Sequence, residues 1–197
     1  EILSGLVGSE MCIRDSAFRA IMQAMARPGT VQDLTPDLVV PAPLIASTAA
    51  VALTLCDFQS PIWLGPGLNH EAVVRYLKFH TGAPVVEAPA DAAFAFMLAG
   101  ESLPHPSLFP QGSHEYPDRS ATLVIQVGKL GGNAVRLSGP GIDSSAEFAA
   151  AGLDADFWVA MSQNHSGFPL GIDTIFAAPG QIAALPRSTA VHLEEAA

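Results

Sequence analysis

The stretch Ala121-Thr122-Leu123-Val124-Ile125-Gln126-Val127 decides the fold class of this 197-residue chain. It is apolar on both faces, which is typical of a central strand covered on both sides. The segment Lys129-Leu130-Gly131-Gly132-Asn133 follows, and its two glycines predict a turn. Beyond it Val135 and Leu137 alternate with Arg136, so we expect a second strand that forms a hairpin with the first.

Helices and strands are interleaved along the rest of the chain. We predict helices at residues 17–26, 43–56, 69–81 and 154–164, and further strands at 30–34, 62–64, 83–87, 93–98, 174–178, 182–185 and 189–192. Four prolines and little periodicity predict a long loop between Gly100 and Arg119. This order predicts an α/β domain of three αβα layers, in which one mixed sheet has helices on both faces.

The first helix carries a predicted buried stripe. Phe18, Ile21, Met22 and Met25 recur at the spacing of one helix face, so we expect them to pack against the sheet. The preceding residues, 1–16, follow neither a helical nor a strand period and lack a signal-peptide pattern. They resemble a translated sequencing-adaptor scar, and we interpret them as a non-native segment in front of a single domain, 17–197.

Composition excludes several classes of protein. A net charge of −10 excludes a broad nucleic-acid surface, because such surfaces are basic. The uncharged run 38–56 contains two prolines and is rich in alanine, which favours a buried helix over a membrane span. Cys12 and Cys56 form neither a disulfide framework nor a CxxC metal motif, which favours the reducing cytoplasm.

A Gly-Pro-Gly turn follows the predicted second strand, in Val135-Arg136-Leu137-Ser138-Gly139-Pro140-Gly141-Ile142. Proline lacks an N–H and glycine tolerates positive φ, so the strand must end there. Two interpretations of this stretch remain open. It is either a strand-ending turn with a solvated Arg136, or a turn at which Arg136 helps to hold an anion.

Other candidate site residues lie near the predicted ends of helices and strands. His80, followed by Thr81, is either a structural cap of the third helix or part of an anion site. Asp173 either orients an arginine or accepts from the N–H groups of its turn. Arg187, like Arg136, suits a phosphate or carboxylate, but both suit acidic residues of a neighbouring protein equally well. Asn164, at the end of the fourth helix, is a further candidate for an anion-binding or interface residue.

The familiar catalytic motifs are missing from the sequence. It contains no GxSxG, HExxH, Walker or GxGxxG motif. Lys78 and Lys129 are its lysines, and neither lies where a Schiff-base amine is expected, which argues against pyridoxal phosphate. His105 and His114 lack acidic or cysteine partners at ligand spacing. We therefore predict no catalytic set, no cofactor and no metal site.

Six segments together resemble the PhnH family, whose members are components of the bacterial carbon–phosphorus (C–P) lyase complex. The resemblance covers residues 17–193, and its segments occur in the family's order. They are Phe18-Arg19 with Ala24-Met25 and Pro28-Gly29, Pro61-Ile62-Trp63-Leu64, Phe79-His80-Thr81-Gly82-Ala83-Pro84, Arg136-Leu137-Ser138-Gly139-Pro140-Gly141-Ile142, Phe168-Pro169-Leu170-Gly171-Ile172-Asp173 and Leu185-Pro186-Arg187-Ser188-Thr189.

The resemblance implies a role in phosphonate catabolism during phosphate starvation. It implies a cytoplasmic complex with subunits G, I and J, which attaches a phosphonate to the ribose of ATP with loss of adenine. It also implies a homodimer when isolated, and a fold similar to the large domain of pyridoxal-phosphate transferases without the cofactor. Two hypotheses follow: an accessory subunit whose turns form an interface, or a ligand-binding enzyme in which Arg136, Arg187 and His80 hold a phosphonate or nucleotide phosphate.

Overall fold

The computed structural model of the chain describes residues 3–193, with side chains from residue 13 onward. A six-stranded sheet has the order β1-β8-β7-β4-β3-β2, and a three-stranded sheet has the order β6-β5-β9. The strands are β1 Gln32–Asp33, β2 Ile62–Leu64, β3 Phe94–Leu98, β4 Thr122–Gln126, β5 Leu130–Ser138, β6 Ala146–Ala150, β7 Asp173–Ala178, β8 Gln181–Leu185 and β9 Ala190–Leu193. The helices are α1 Leu3–Ala26, α2 Ala46–Leu55, α3 Glu71–Thr81 and α4 Ala155–Ser166.

The six-stranded sheet separates two hydrophobic cores. Val124 of β4 faces the first core, which α1, α2 and α3 cover. Leu123 and Ile125, its neighbours in β4, face the second core, which α4 and the three-stranded sheet cover. Side chains of one strand alternate between the two faces, so a central strand must be apolar throughout. The α/β class and the helices on both faces are confirmed.

The mixed sheet is confirmed, because the six-stranded sheet contains parallel pairs (β2–β3, β3–β4 and β4–β7) and antiparallel pairs (β7–β8 and β8–β1). The prediction that β4 and β5 form a hairpin in that one sheet is wrong. β4 lies between β3 and β7, parallel to both, and has no free edge at which β5 could pair. β5 instead pairs with β6 and β9, antiparallel to both, in a second sheet. A turn-like sequence fixes the local reversal of the chain but not the partner of the next strand, and here the parallel neighbours occupy both edges of β4.

The first helix is longer and turned differently from the prediction. It begins at Leu3 rather than at Ala17. Ala17, Ile21 and Ala24 are buried, whereas Phe18 and Met22 are 50% and 52% exposed. The neighbouring α2 is itself rich in buried alanine, so small side chains on the facing side of α1 let the two helices approach closely. Helical spacing predicted the helix correctly but not which stripe faces inward.

The other helices agree with the prediction to within a few residues. α2 begins at Ala46 and lies on the sheet, where Ser47 Oγ donates to the carbonyl of Ala178 over 2.6 Å. α3 begins at Glu71 and ends at Thr81, and the capping residue Gly82 has a φ of 72°, the left-handed conformation that glycine favours. Among the described residues, no helix is long and apolar enough to cross a membrane.

Two short segments near the sheets were assigned wrongly. Residues 83–87 do not form a strand, because only Val85 bridges to Ile62. β6 was missed, because Ala146-Glu147-Phe148-Ala149-Ala150 is rich in residues that favour helices. Its Phe148 is buried in the second core, and this packing overrides the local preference.

Candidate functional site

Arg187 and Asp173 form an ion pair where β7 begins and β8 has just ended. Arg187 Nη2 donates to Asp173 Oδ2 over 2.6 Å, and Nε donates to Oδ1 over 3.3 Å. The backbone N–H of Arg187 also donates to Oδ1 over 2.8 Å. The two side chains are only 16% and 17% exposed. Asp173 thus does both things considered from the sequence: it orients an arginine and accepts from a turn N–H.

The same guanidinium holds the long loop between β3 and β4. Arg187 Nη1 donates to the carbonyl of Pro117, which lies in that loop. The loop is held again where the N–H of Gly171 donates to the carbonyl of Gln111 over 3.0 Å. Arg187 therefore has its charge neutralised by Asp173 and three of its N–H groups engaged, which leaves it a structural crosslink rather than a free cation.

Asn164 lies beside this ion pair and fixes the turn that leads into β7. Its Oδ1 accepts from the N–H of Ile172 over 2.9 Å, and its Nδ2 donates to the carbonyl of the same residue over 3.0 Å. Ile172 directly precedes Asp173, so the amide sets the position of the carboxylate. Gly171 has a φ of 120°, and a Cβ there would lie 2.7 Å from Asn164 Oδ1. This close approach requires glycine.

Two clefts lie along α4, on either side of His105 and Pro106. One, of about 330 Å³, lies along the C-terminal half of α4 and includes Asn164 and Gly171 in its wall. The other, of about 220 Å³, lies at the start of α4, where Asp154 caps the helix by accepting from the N–H of Phe157 over 2.9 Å. The loop 100–119 therefore lines a groove, which sequence patterns indicated only by its length.

The chemistry of these clefts does not favour an anion. No arginine or lysine is among the described residues that line them, and the smaller one carries Glu101, Asp154 and Asp156. His105 Nδ1 is 2.8 Å from Ser107 Oγ and accepts from the Ser107 N–H, so it is part of the loop's own hydrogen bonding. The described part of the chain contains no group of three or more His, Cys, Asp or Glu that could hold a metal ion.

Arg136 takes no part in the Arg187 ion pair or its hydrogen bonds. On β5 its neighbours Val135 and Leu137 are buried in the second core, so Arg136 faces solvent. It is in register with Glu147 of β6 and His192 of β9, yet no salt bridge within 4.0 Å joins it to any described residue. On the same face, Ser138 Oγ is 2.7 Å from His192 Nε2. Arg136 is an unpaired cation on an open sheet face.

His80 and Thr81 lie at the end of α3, on the other side of the six-stranded sheet from Arg136. Thr81 Oγ1 donates to the carbonyl of Leu77 and accepts from the N–H of Ala83, which closes the helix end. The His80 ring contacts Tyr76, with the ring centres 4.4 Å apart. The structure thus brings together Arg187, Asp173 and Asn164, but neither Arg136 nor the His80–Thr81 pair joins them.

Cys56 is buried between the first core and the turn that follows α2. Burial, and secondly the negative charge of Asp57, raise the pKa of its thiol from 9.0 to about 12. A thiol with so high a pKa is almost wholly protonated at neutral pH and is a poor nucleophile.

Comparisons with known proteins agree over nearly the whole chain. The family model for PhnH, described as a bacterial phosphonate metabolism protein, matches residues 10–192. The alpha-D-ribose 1-methylphosphonate 5-triphosphate synthase subunit PhnH of Rhizobium meliloti (strain 1021) is 38% identical over 195 residues, 98% of each chain. The provisionally named C-P lyase subunit protein HtxG of Stutzerimonas stutzeri is 32% identical over 184 residues, 93% of this chain and 88% of that one.

Both relatives are subunits by name, and the matches cover at least 93% of this chain and 88% of each relative. The six sequence segments that suggested the resemblance lie in the matched region, 10–192. The family match covers the six-stranded sheet and the helices α2, α3 and α4 in full. The chain belongs to the PhnH family of bacterial phosphonate metabolism proteins.

Proposed function

We propose that this chain is an accessory subunit of the bacterial C–P lyase complex. In this role it supports the formation of a ribose 1-phosphonate 5-triphosphate from ATP and an alkylphosphonate, together with subunits G, I and J. The observation that carries the proposal is the 38% identity to a subunit of that synthase over 98% of both chains. A match of this extent aligns the whole subunit rather than one shared module.

The arrangement of charged residues supports an accessory role. Arg187, the arginine of the candidate site, already binds Asp173 and the carbonyl of Pro117. It therefore stabilises the fold and is not available to bind a reactant. Lys78 and Lys129 are both exposed, in α3 and in the turn after β4, and neither lies in an enclosed site suited to a Schiff base. These placements fit the proposed likeness to the large domain of pyridoxal-phosphate transferases without their cofactor.

Several further properties belong to the same proposal. The protein acts in the cytoplasm under phosphate starvation, and in isolation it forms a homodimer. Residues 17–197 act as a single domain in this role. The candidate residues that face solvent, Arg136 above all, are then contacts to partner subunits.

The proposal is tested by co-expression with subunits G, I and J. We expect an affinity-tagged chain to co-purify with all three, and calorimetry of the isolated chain with ATP and with methylphosphonate to give no heat of binding. A chain that stays free of the three subunits would refute the proposal.

A second candidate function rests on one observation, the unpaired Arg136 beside Ser138 and His192. If this face holds a phosphonate or a nucleotide phosphate, calorimetry with the wild-type chain will give a heat that the Arg136→Ala variant loses. His80 and Arg187 do not contribute to such a site, because one lies across the sheet and the other is paired with Asp173.

A further inference from the structure

The outward side of α3 is an open groove of about 380 Å³. We call it the α3 surface. It is formed by Pro41, Ala72, Arg75, Tyr76, Phe79 and His80. Residues 72, 76 and 79 follow helical spacing, so they form one stripe along α3. The stripe borders the buried face of Val73 and Leu77, and its Tyr76 is partly buried against the first core.

Phe79 is the most conspicuous residue of the α3 surface. It is 83% exposed, although a phenylalanine side chain gains stability when it leaves water. The exposed apolar side chains Phe58 and Val39 extend this part of the molecule, and Phe58 lies against Gly82 at the end of α3. A group of large apolar side chains exposed together is typical of a protein–protein interface.

The aromatic rings of the α3 surface contact one another, which restricts their freedom before any partner binds. The His80 ring lies edge-on to Phe79, with centres 5.0 Å apart, and it also contacts Tyr76. Rings that are already ordered lose little conformational entropy on binding, which is why exposed aromatic groups of this kind act as hot spots.

The charge beside this stripe is opposite in sign to that of the whole chain. The chain carries −10 overall, whereas Arg75 and Lys78 are both exposed on α3, and the one acid of the helix, Glu71, lies in its first turn. A neutral partner would make no use of these two cations. An acidic partner would be attracted to them and oriented by them.

We propose that the α3 surface is the docking site for an acidic segment with apolar side chains on another subunit of the same synthase. The apolar side chains of that segment cover Phe79 and Tyr76, and its carboxylates pair with Arg75 and Lys78. The inference rests on the proposed function, since it assumes that partner subunits exist, and it names a surface on the opposite side of the six-stranded sheet from Arg136.

Phe79→Ser tests the apolar part of this contact. Because the side chain is so exposed, the variant keeps the thermal stability of the wild type, and the yield of subunits G, I and J co-purified with the tagged chain falls at least about tenfold. Leu108→Ser is the matched control, because Leu108 is 55% exposed and lies in the loop 100–119 beside α4, away from α3. This variant leaves the yield unchanged.

Lys78→Glu tests the charge of the partner, with Lys129→Glu as its control. Both lysines are exposed, but Lys129 lies in the turn before β5. We expect only Lys78→Glu to weaken association, by about threefold to tenfold, and association of the wild type to weaken as salt rises.

The outcomes separate this inference from the proposed function. If the wild type fails to co-purify with the subunits, the proposed function fails. If the wild type and Phe79→Ser co-purify equally, or if Leu108→Ser fails as badly as Phe79→Ser, the inference alone fails. If Phe79→Ser instead converts a dimer of the isolated chain into a monomer and leaves subunit association intact, a second copy occupies the surface and the inference is overturned.

Discussion

Arg187 and Arg136 look alike in the sequence, since each lies near a strand end beside glycine or proline, but the structure places them in opposite environments. Arg187 is mostly buried, pairs with Asp173 through two nitrogens and reaches the loop carbonyl of Pro117. Arg136 points into solvent without a salt bridge to a described residue. One arginine holds the fold together and the other is available to a partner.

The difference between the two arginines shows that a sequence motif predicts the backbone around an arginine better than it predicts the partner of the guanidinium. The Gly and Pro residues around each arginine predict the backbone turn. They do not predict whether a carboxylate from another turn will reach the guanidinium, and here Asp173 reaches only Arg187. The guanidinium of Arg187 is fixed in position, and the ion pair that it forms with Asp173 has no net charge. It therefore attracts an external anion only weakly.

The largest expected effect comes from breaking the engaged site. Asp173→Asn leaves the mostly buried Arg187 without its counter-charge, and we expect the free energy of unfolding to fall by about 3 kcal/mol. Urea denaturation followed by far-UV circular dichroism measures this. Arg187→Lys should destabilise the chain almost as much as Arg187→Ala, because an ammonium group cannot reproduce the two-nitrogen contact with Asp173. A change below about 0.5 kcal/mol would contradict the structural role of the pair.

A smaller loss of stability is expected when Asn164, which holds the residue before Asp173, is replaced. Asn164→Ala removes the acceptor and the donor that hold Ile172, and we expect a loss of about 2 kcal/mol, since two part-buried backbone groups lose their partners. Asn164→Asp keeps the acceptor for the Ile172 N–H and loses the donor to its carbonyl, so its loss should lie between those of the wild type and Asn164→Ala. If both variants unfold at the wild-type urea midpoint, the amide does not position Asp173.

A rise in pH tests a different group, the buried thiol of Cys56. The pKa of Cys56 is raised to about 12 in the folded chain from 9.0, so between these values the unfolded chain loses its thiol proton first. Stability contributed by the protonated thiol is therefore complete below pH 9 and declines above it, by about 1.4 kcal/mol at pH 10. Subtracting the urea midpoints of Cys56→Ala at each pH isolates this effect, and an unchanged difference between pH 8 and pH 10 would show that the thiol titrates normally.

Periodic apolar patterns predicted most of the fold. The central β4, the strands β7 and β8, and all four helices of the described chain were recognisable, because burial on one face leaves a regular spacing of apolar residues in the sequence. The second sheet was not recognisable from the sequence. Its strand β6 consists mostly of alanine and glutamate, which favour helices, and strand pairing depends on which sheet edges remain free. The buried stripe of α1 was also not recognisable. Ala17 and Ala24 are buried because α1 packs closely against α2, and such small side chains give only a weak apolar signal in the sequence.

The candidate site was predicted only in its parts. Asp173, Arg187 and Asn164 were singled out separately, and nothing in the spacing showed that a carboxylate, a guanidinium and an amide would meet. The contact from Arg187 to the Pro117 carbonyl had no sequence signal, because a backbone acceptor is the same in every residue. His80 was grouped with the arginines because it lies at the end of a helix, where a cation is favoured. The topology places it with α3 on the other side of the sheet from Arg136.

The smallest expected change in stability comes from Arg136, and it completes the comparison. Arg136→Ala should alter the free energy of unfolding by less than about 0.5 kcal/mol, because an exposed side chain without a salt bridge loses nothing on truncation that water does not replace. Measured in the same urea series as Arg187→Ala, it should unfold at the wild-type midpoint while Arg187→Ala unfolds much earlier. Association with partner subunits should show the reverse order when equal amounts of folded protein are compared, since only Arg136 is free to contact them. If Arg136→Ala proves as destabilising as Arg187→Ala, the exposed arginine also supports the fold, and the contrast between an engaged and an available arginine no longer holds.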